Sequence, residues 1–201
     1  MVPSGLPTIT GEVSYVSLSG FVTSDISSSD ILDISNEIAQ IYGVDEDDTE
    51  TTVEYILSGT LNITIPDDIN EDDVINSLQE SISNALGVHS SDVVVTFDDE
   101  GVITYSVSGS TFTEVASLQA SVEHNDFVNS VNDALRQSEL DILLEAISSN
   151  EDIETVISVT VDTTVASETQ TPEIAIAQLV SEYDLTDSTI ECNTLLLYVK
   201  D

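Results

Sequence analysis

Hydrophobic positions recur along this chain with two periods, and the two alternate. Val13, Tyr15, Val16 and Leu18 mark a strand over residues 12–21, closed by a Ser/Asp-rich turn at 23–29. Asp30 then reads as the cap of a helix whose Ile31, Ile34, Ile38 and Ile41 form one stripe, and Gly43 ends it. Past the acidic loop Asp45-Glu46-Asp47-Asp48, the alternation of Val53, Tyr55 and Leu57 predicts a strand over 51–57. Ser58-Gly59-Thr60 reads as a turn. Leu61, Ile63 and Ile65 alternate with Asn62 and Thr64, a half-buried strand that Pro66 closes.

Residues 68–97 carry the clearest version of the pattern. An acidic start leads into a helix with Val74, Leu78, Ile82 and Ala85 on one face, Gly87 takes the C-terminal cap, and a β-branched strand follows at 93–97. Asp98-Asp99-Glu100-Gly101 forms a hairpin turn into a strand at 102–107. Residues 108–124 force no single element. Asn125 or Asp126 opens a helix with Val128, Val131 and Leu135 on one face. Residues 140–147 have helical propensity as well, and the repeat argues for a strand there. After a turn at 148–152, Ile157, Val159 and Val161 mark a strand over 155–161. Thr171-Pro172 starts a helix bearing Ile176, Leu179, Val180 and Tyr183, and 188–199 is the last strand, with Leu195, Leu197 and Val199 on one face.

The elements therefore read β-α-β four times, with a period of roughly 45 residues, the range in which a repeat sets the architecture. Joined in pairs, they give an α+β fold of two tandem ferredoxin-like βαββαβ units. Right-handed crossovers place the helices on one face of antiparallel sheets. The expected division is an extended arm at 1–11, a first unit at 12–99 and a second at 100–201. One larger continuous sheet is the alternative to two separate ones.

The run Leu86-Gly87-Val88 to Asp92-Val93-Val94-Val95, with the strand 103–107 after it, resembles acidic βαβ-repeat surface proteins of aquatic protists and large viruses. The resemblance covers about residues 58–107. It implies a surface setting and brings no activity and no functional residues.

Charge narrows the function classes. Of 201 residues, 39 are Asp or Glu and 2 are Lys or Arg (Arg136 and Lys200), a net charge of −37. Almost no carboxylate has a cationic partner, so the folded state repels itself unless salt or bound cations intervene. Nucleic acid is excluded as a partner, because neutralising phosphates takes Lys and Arg. Anionic membrane surfaces are disfavoured on the same ground, and no apolar run has the length of a membrane span. Hydrophobic residues at 40% supply a core, and aromatics at 5% make it mainly aliphatic. The single cysteine, Cys192, forms no intramolecular disulfide and reads as a small core residue. The N-terminal residues have neither the basic nor the apolar region of a signal peptide, so an extracellular location implies a processed form.

Candidate chemistry is diffuse. Oxygen ligands for calcium are plentiful at Asp45, Asp47 and Asp48, at Asp68 and Asp72, and at Asp98 and Asp99. The spacing Asp68, Asn70, Asp72 begins like an EF-hand loop, but Asp73 stands at its glycine position and Gln79 at its closing Glu, so that motif is rejected. The bland reading is helix-dipole acids and solvated loops. His89 and His124 have neither zinc spacing nor a nucleophile motif and read as exposed loop residues. Asn62-Ile63-Thr64 is an N-glycosylation acceptor inside an expected strand, and the many Ser and Thr offer O-linked positions, so glycans are candidate additions.

These features point to a structural subunit of an extracellular filament, sheath or virion surface, without enzymatic activity or an organic cofactor. Copies would pair through the strand-like ends at 6–10 and 195–200 into a homo-oligomer or homopolymer, and calcium would bridge the acidic surfaces. The alternatives are a calcium-binding or biomineral-associated protein, and a soluble salt-adapted protein.

Overall fold

The computed structural model describes residues 11–22, 24–65, 69–98, 102–124, 126–138, 140, 142–150, 152–162 and 191–197. In chain order the elements are β1 (Gly11–Val22), α1 (Ser28–Tyr42), β2 (Thr49–Thr64), α2 (Glu71–Leu86), β3 (Val93–Phe97), β4 (Ile103–Gly109), α3 (Phe112–Val122), α4 (Phe127–Leu135), β5 (Leu143–Ser149), β6 (Ile153–Asp162) and β7 (Glu191–Leu197). The fold is α+β. The helix expected at 171 and the arm at 1–10 lie outside the described residues. Among the described residues, no helix is long and apolar enough to cross a membrane.

Local chemistry sets the helix ends. Ser27, rather than Asp30, caps α1: its hydroxyl accepts from the Asp30 N–H at 3.2 Å and donates to the Asp30 carboxylate at 2.6 Å. The one hydroxyl thus satisfies a free N–H of the first turn and holds the Asp30 carboxylate beside it. Asn70 caps α2 by accepting from the Asp72 N–H at 2.8 Å. Gly43 and Gly87 close these helices at φ 67° and 72°, the left-handed region in which glycine carries no Cβ penalty.

The chain folds into two compact units. Among described residues, the first holds 11–20, 26–53, 156–162 and 191–197, with its strands in the order β2-β6-β1-β7. β1 and β7 pair antiparallel, Gly11 opposite Leu197 and Ser17 opposite Glu191. Ile34 and Ile38 of α1 pack on Val16 and Leu18 of β1 and on Ile157, Val159 and Val161 of β6. Each such side chain stabilises the fold by roughly 1.5–3 kcal/mol relative to exposure.

The second unit runs from Glu54 to Thr155, together with residues 21–25. Its strand order is β3-β4-β2-β5, and all three of its pairings are antiparallel. α2, α3 and α4 cover one face of this sheet. Val74, Leu78, Ile82, Val115, Val131 and Leu135 on the helices are buried, as are Leu57, Val93, Tyr105, Val107 and Leu144 on the strands. Residues 108–124, on which the sequence forces no element, supply α3; Thr111 caps it by accepting from the Glu114 N–H at 3.2 Å.

One expected turn is not a turn. Ser58-Gly59-Thr60 lies in the middle of β2, which is continuous over 16 residues and serves both units. Gly59 sits directly opposite Tyr105 of β4. A Cβ on Gly59 would stand 2.6 Å from the Tyr105 ring and would overlap the Ser148 carbonyl oxygen. The glycine is thus there for a close approach: the tyrosine ring covers the space that its side chain would fill. At the expected turn of 148–152, β5 gives way to β6, and among the described residues these two strands do not pair with each other. β5 and β6 both neighbour β2, and between them the Asn150 N–H donates to the Ser58 carbonyl at 2.8 Å.

Numbered within itself, each unit places its four described strands in the order 2-3-1-4. The chain leaves the first unit along β2, completes the second, and re-enters the first along β6. The units are therefore not consecutive, as a tandem pair would be. Asp98, beside the expected boundary, lies within the second unit, where its N–H donates to the Val102 carbonyl at 3.0 Å.

Candidate functional site

The acidic positions serve local structure first. Asp45 precedes the 3-10 turn Glu46–Asp48, and its carbonyl accepts from the Asp48 N–H at 3.0 Å. Asp45 and Asp47 are exposed and Asp48 is half-buried. Asp72 sits exposed in the first turn of α2, where a carboxylate favours the helix dipole. Asp98 closes the β3–β4 hairpin, its carboxylate accepting from the Val102 N–H at 2.8 Å. Asp68 and Asp99 lie outside the described residues. Among the described residues, no three His, Cys, Asp or Glu side chains come together as metal ligands would.

Both histidines are exposed. The His89 Nδ1 is 2.9 Å from the Ser91 hydroxyl, and the His124 Nδ1 is 3.7 Å from the Asp126 carboxylate. Arg136 pairs with Asp133 at 2.7 Å, with both side chains in water. Asn62 is exposed on β2. Its Nδ2 donates to Glu145 at 3.5 Å, and the hydroxyl of Thr64, the third acceptor-sequence residue, donates to the other Glu145 oxygen at 2.7 Å. Cys192 is paired by backbone register with Val16.

The second unit does present one distinctive surface. Side chains alternate across a strand, so the partners of the buried residues point to the face away from the helices. On β2 these are Ile56, Ser58, Thr60, Asn62 and Thr64; on β3, Val94 and Thr96; on β4, Thr104, Ser106 and Ser108. Two cross-strand hydroxyl pairs tie them together, Thr60 with Ser148 at 2.7 Å and Thr96 with Thr104 at 2.7 Å. Each pair uses one of its two hydroxyl protons and leaves the other free, with lone pairs to spare. Around Ser58, Thr60, Val94, Thr96, Thr104 and Ser106 the surface dips in a shallow depression of about 290 Å³.

The carboxylates that alternation puts on this face lie at its ends. Glu54 opens the unit's stretch of β2, Glu145 sits at the register shift opposite Asn62 and Ile63, and Glu154 follows the 150–152 link. Between them lies a band of hydroxyls and methyls with no charge among the described residues. Sequence reasoning passed over this face. Its signal was present: hydroxyl or amide residues recur every second position from Ser58 to Thr64 and from Thr104 to Ser108, with no Asp or Glu among them.

Beneath the face lies Tyr105, 2% exposed. Its hydroxyl has no protein hydrogen-bond partner. Burial pushes the phenol well above its ordinary range, and the Glu123 carboxylate adds to the shift.

No family model, curated protein or solved structure matches this chain.

Proposed function

We propose that this chain is a structural subunit of an extracellular filament, sheath or virion surface, assembling with copies of itself. On this reading each unit is a ferredoxin-like βαββαβ unit, and the second is inserted between the second and third strands of the first. Calcium or another divalent cation bridges the carboxylates of neighbouring copies and offsets part of the −37 charge. Glycans on exposed Ser, Thr or Asn62 are compatible with that setting.

The observation that supports assembly is the unequal treatment of sheet edges. An open edge invites another strand, and monomers blunt it. β3 is only five residues long. β5 is closed from the side: buried Asn132 of α4 donates to the Leu144 carbonyl at 2.8 Å and accepts from the Leu144 N–H at 2.9 Å. The N–H and C=O of one strand residue point the same way, so these two face away from β2. The edge strand β7 runs seven residues, Glu191–Leu197, and among described residues its pairing is to β1 alone. Leu195–Leu197 are paired along one side with Gly11–Val13 of their own chain. The remaining side of β7 is the edge offered, and residues 6–10 of a neighbouring copy are the strand proposed to take it.

Scattering mass tests this. The protein is titrated with calcium chloride and, separately, with sodium chloride of equal ionic strength. Growth into large regular particles with calcium alone is expected. A monomer mass in both titrations would refute cation-driven assembly, and undiminished growth after deletion of residues 1–10 would refute the strand donor.

A further inference from the structure

We infer that the uncharged open face of the second unit is a self-contact surface, on which a second copy of this chain docks face to face. The inference rests on the assembly reading above and adds to it a lateral contact that uses no strand edge.

Electrostatics favours this face. Two chains of net charge −37 that meet on ordinary surface set carboxylates against carboxylates. At the band around Thr60, Thr96, Thr104 and Ser106 a copy can approach closely with no charge directly opposed, and here the surface is also dished. Its groups suit a copy of itself. Each hydroxyl pair is both donor and acceptor, so a twofold-related face supplies the complement. Val94 and Leu143, 51% and 50% exposed, add apolar area on the same face.

Size sets the strength. Four strands about 4.8 Å apart and about five residues long give a face of roughly 300 Å² per copy. The total of roughly 600 Å² falls below the ~1,000 Å² of a stable specific interface. The contact is therefore weak between free molecules. It becomes significant where salt has shortened the range of the surrounding carboxylates, or where a filament already holds copies side by side.

The test is sedimentation equilibrium of the full chain, and of a chain lacking residues 1–10, at low and at roughly molar sodium chloride. Expected is a dimer whose association strengthens at least tenfold in high salt and survives the deletion. Thr60→Glu with Thr104→Glu should weaken it at least tenfold, with an unchanged circular dichroism spectrum as the check on folding. Leu32→Glu, on the exposed side of α1 in the other unit, should leave it intact. A chain that stays monomeric at high salt, or a dimer indifferent to the two face glutamates, overturns the inference. So does a monomer whose Thr60 and Thr104 resonances shift with dextran, which would assign the face to a neutral glycan instead. Loss of calcium-driven polymer growth on deleting 1–10, with the dimer kept, sustains both readings. Absence of calcium-driven growth with the dimer kept removes the β7 reading alone.

Discussion

Replacing Asn132 tests how the free edge of β5 is closed. The residue is 9% exposed, and its amide makes the two hydrogen bonds to Leu144 that a neighbouring strand would make. Asn132→Ala removes both and leaves a buried N–H and a buried carbonyl without partners. An orphaned group costs about 1–3 kcal/mol, so the pair should cost about 2–4 kcal/mol once the edge relaxes toward water. With a urea slope of about 1–3 kcal/mol/M, the unfolding midpoint should fall by roughly 1 M or more. Exchange at the Leu144 amide should accelerate alongside. Asn132→Asp separates the hydrogen-bond pattern from side-chain size. A protonated aspartic acid can repeat the asparagine's pattern, whereas a carboxylate faces the Leu144 carbonyl with no proton to offer. Buried without a cation, this acid should have a folded pKa raised above its unfolded value of about 3.9. Its contribution is then fully present below that unfolded value and is lost as pH rises through the folded one. Relative to wild type at each pH, the variant should be nearly normal at low pH and increasingly destabilised toward neutrality. An alanine variant within about 0.5 kcal/mol of wild type, with Leu144 exchange unchanged, would refute the edge-closing role.

Other outcomes follow from the same geometry. Gly59→Ala forces a methyl into the Ser148 carbonyl oxygen, so urea unfolding should show a loss of about 2–3 kcal/mol or more; a near-neutral variant would mean that β5 and Tyr105 move aside freely. Gly87→Ala meets no neighbour within 4 Å but must hold φ 72°, so its cost should be only about 1 kcal/mol by the same assay. Tyr105 has a folded pKa raised above the ordinary phenol value of 10.0, so its stabilisation is complete below that pH and declines above it, at up to about 1.4 kcal/mol per pH unit. Tyr105→Phe should flatten that alkaline decline and, by removing an unpartnered buried hydroxyl, leave neutral-pH stability equal or higher; an unchanged alkaline slope would refute the assignment. Raising sodium chloride from 0.01 M to 1 M shortens the screening length from about 30 Å to about 3 Å, so the melting temperature should climb; a flat profile would show that self-repulsion does not limit stability.

What could be read from the sequence divides along physical lines. Helices α1 and α2 were legible because a stripe of Ile or of Val, Leu and Ile ends at a glycine, and Gly43 and Gly87 do take the left-handed cap. The short strand β3 was legible because Val93, Val94 and Val95 are β-branched and bounded. α3 was not, because its apolar residues spread round the helix instead of forming one narrow stripe: of Phe112, Val115, Ala116, Leu118, Ala120 and Val122, only Val115 and Val122 are buried. Ser58-Gly59-Thr60 misled because local propensity for a turn is outweighed by a long-range partner. Tyr105, 46 positions away, makes the glycine useful inside a strand. The acidic stretches were conspicuous, but the described ones act as first-turn acids, hairpin closers and solvated loops. The charge-free band was the harder signal, because it consists of what is missing from alternate positions.

The continuity of β2 also explains why two nested units read in the sequence like two consecutive ones. In the first unit β2 and β6 are neighbours, and in the second β2 and β5 are neighbours. Each unit therefore has, at the point where it is cut or closed, two chain ends lying side by side on adjacent strands. An insertion between such ends needs no linker: one strand carries the chain out and the next brings it back. β2 alternates along its length, with buried Tyr55 and Leu57 on the same phase as half-buried Val53. Periodicity specifies only strands, helices and their phases, and two nested units present the same series as two consecutive ones. The distinction rests on which strand the chain rejoins. That is set by pairs such as Thr60 with Ser148, 88 positions apart and joined by a 2.7 Å hydrogen bond. Thr60→Val with Ser148→Val keeps the strand pattern and deletes that bond, so it should weaken β2–β5 pairing, read as faster exchange of the Asn150 amide, while the β3–β4 hairpin keeps its protection. Equal loosening of both would show that the β2–β5 junction has no separate hold on the fold.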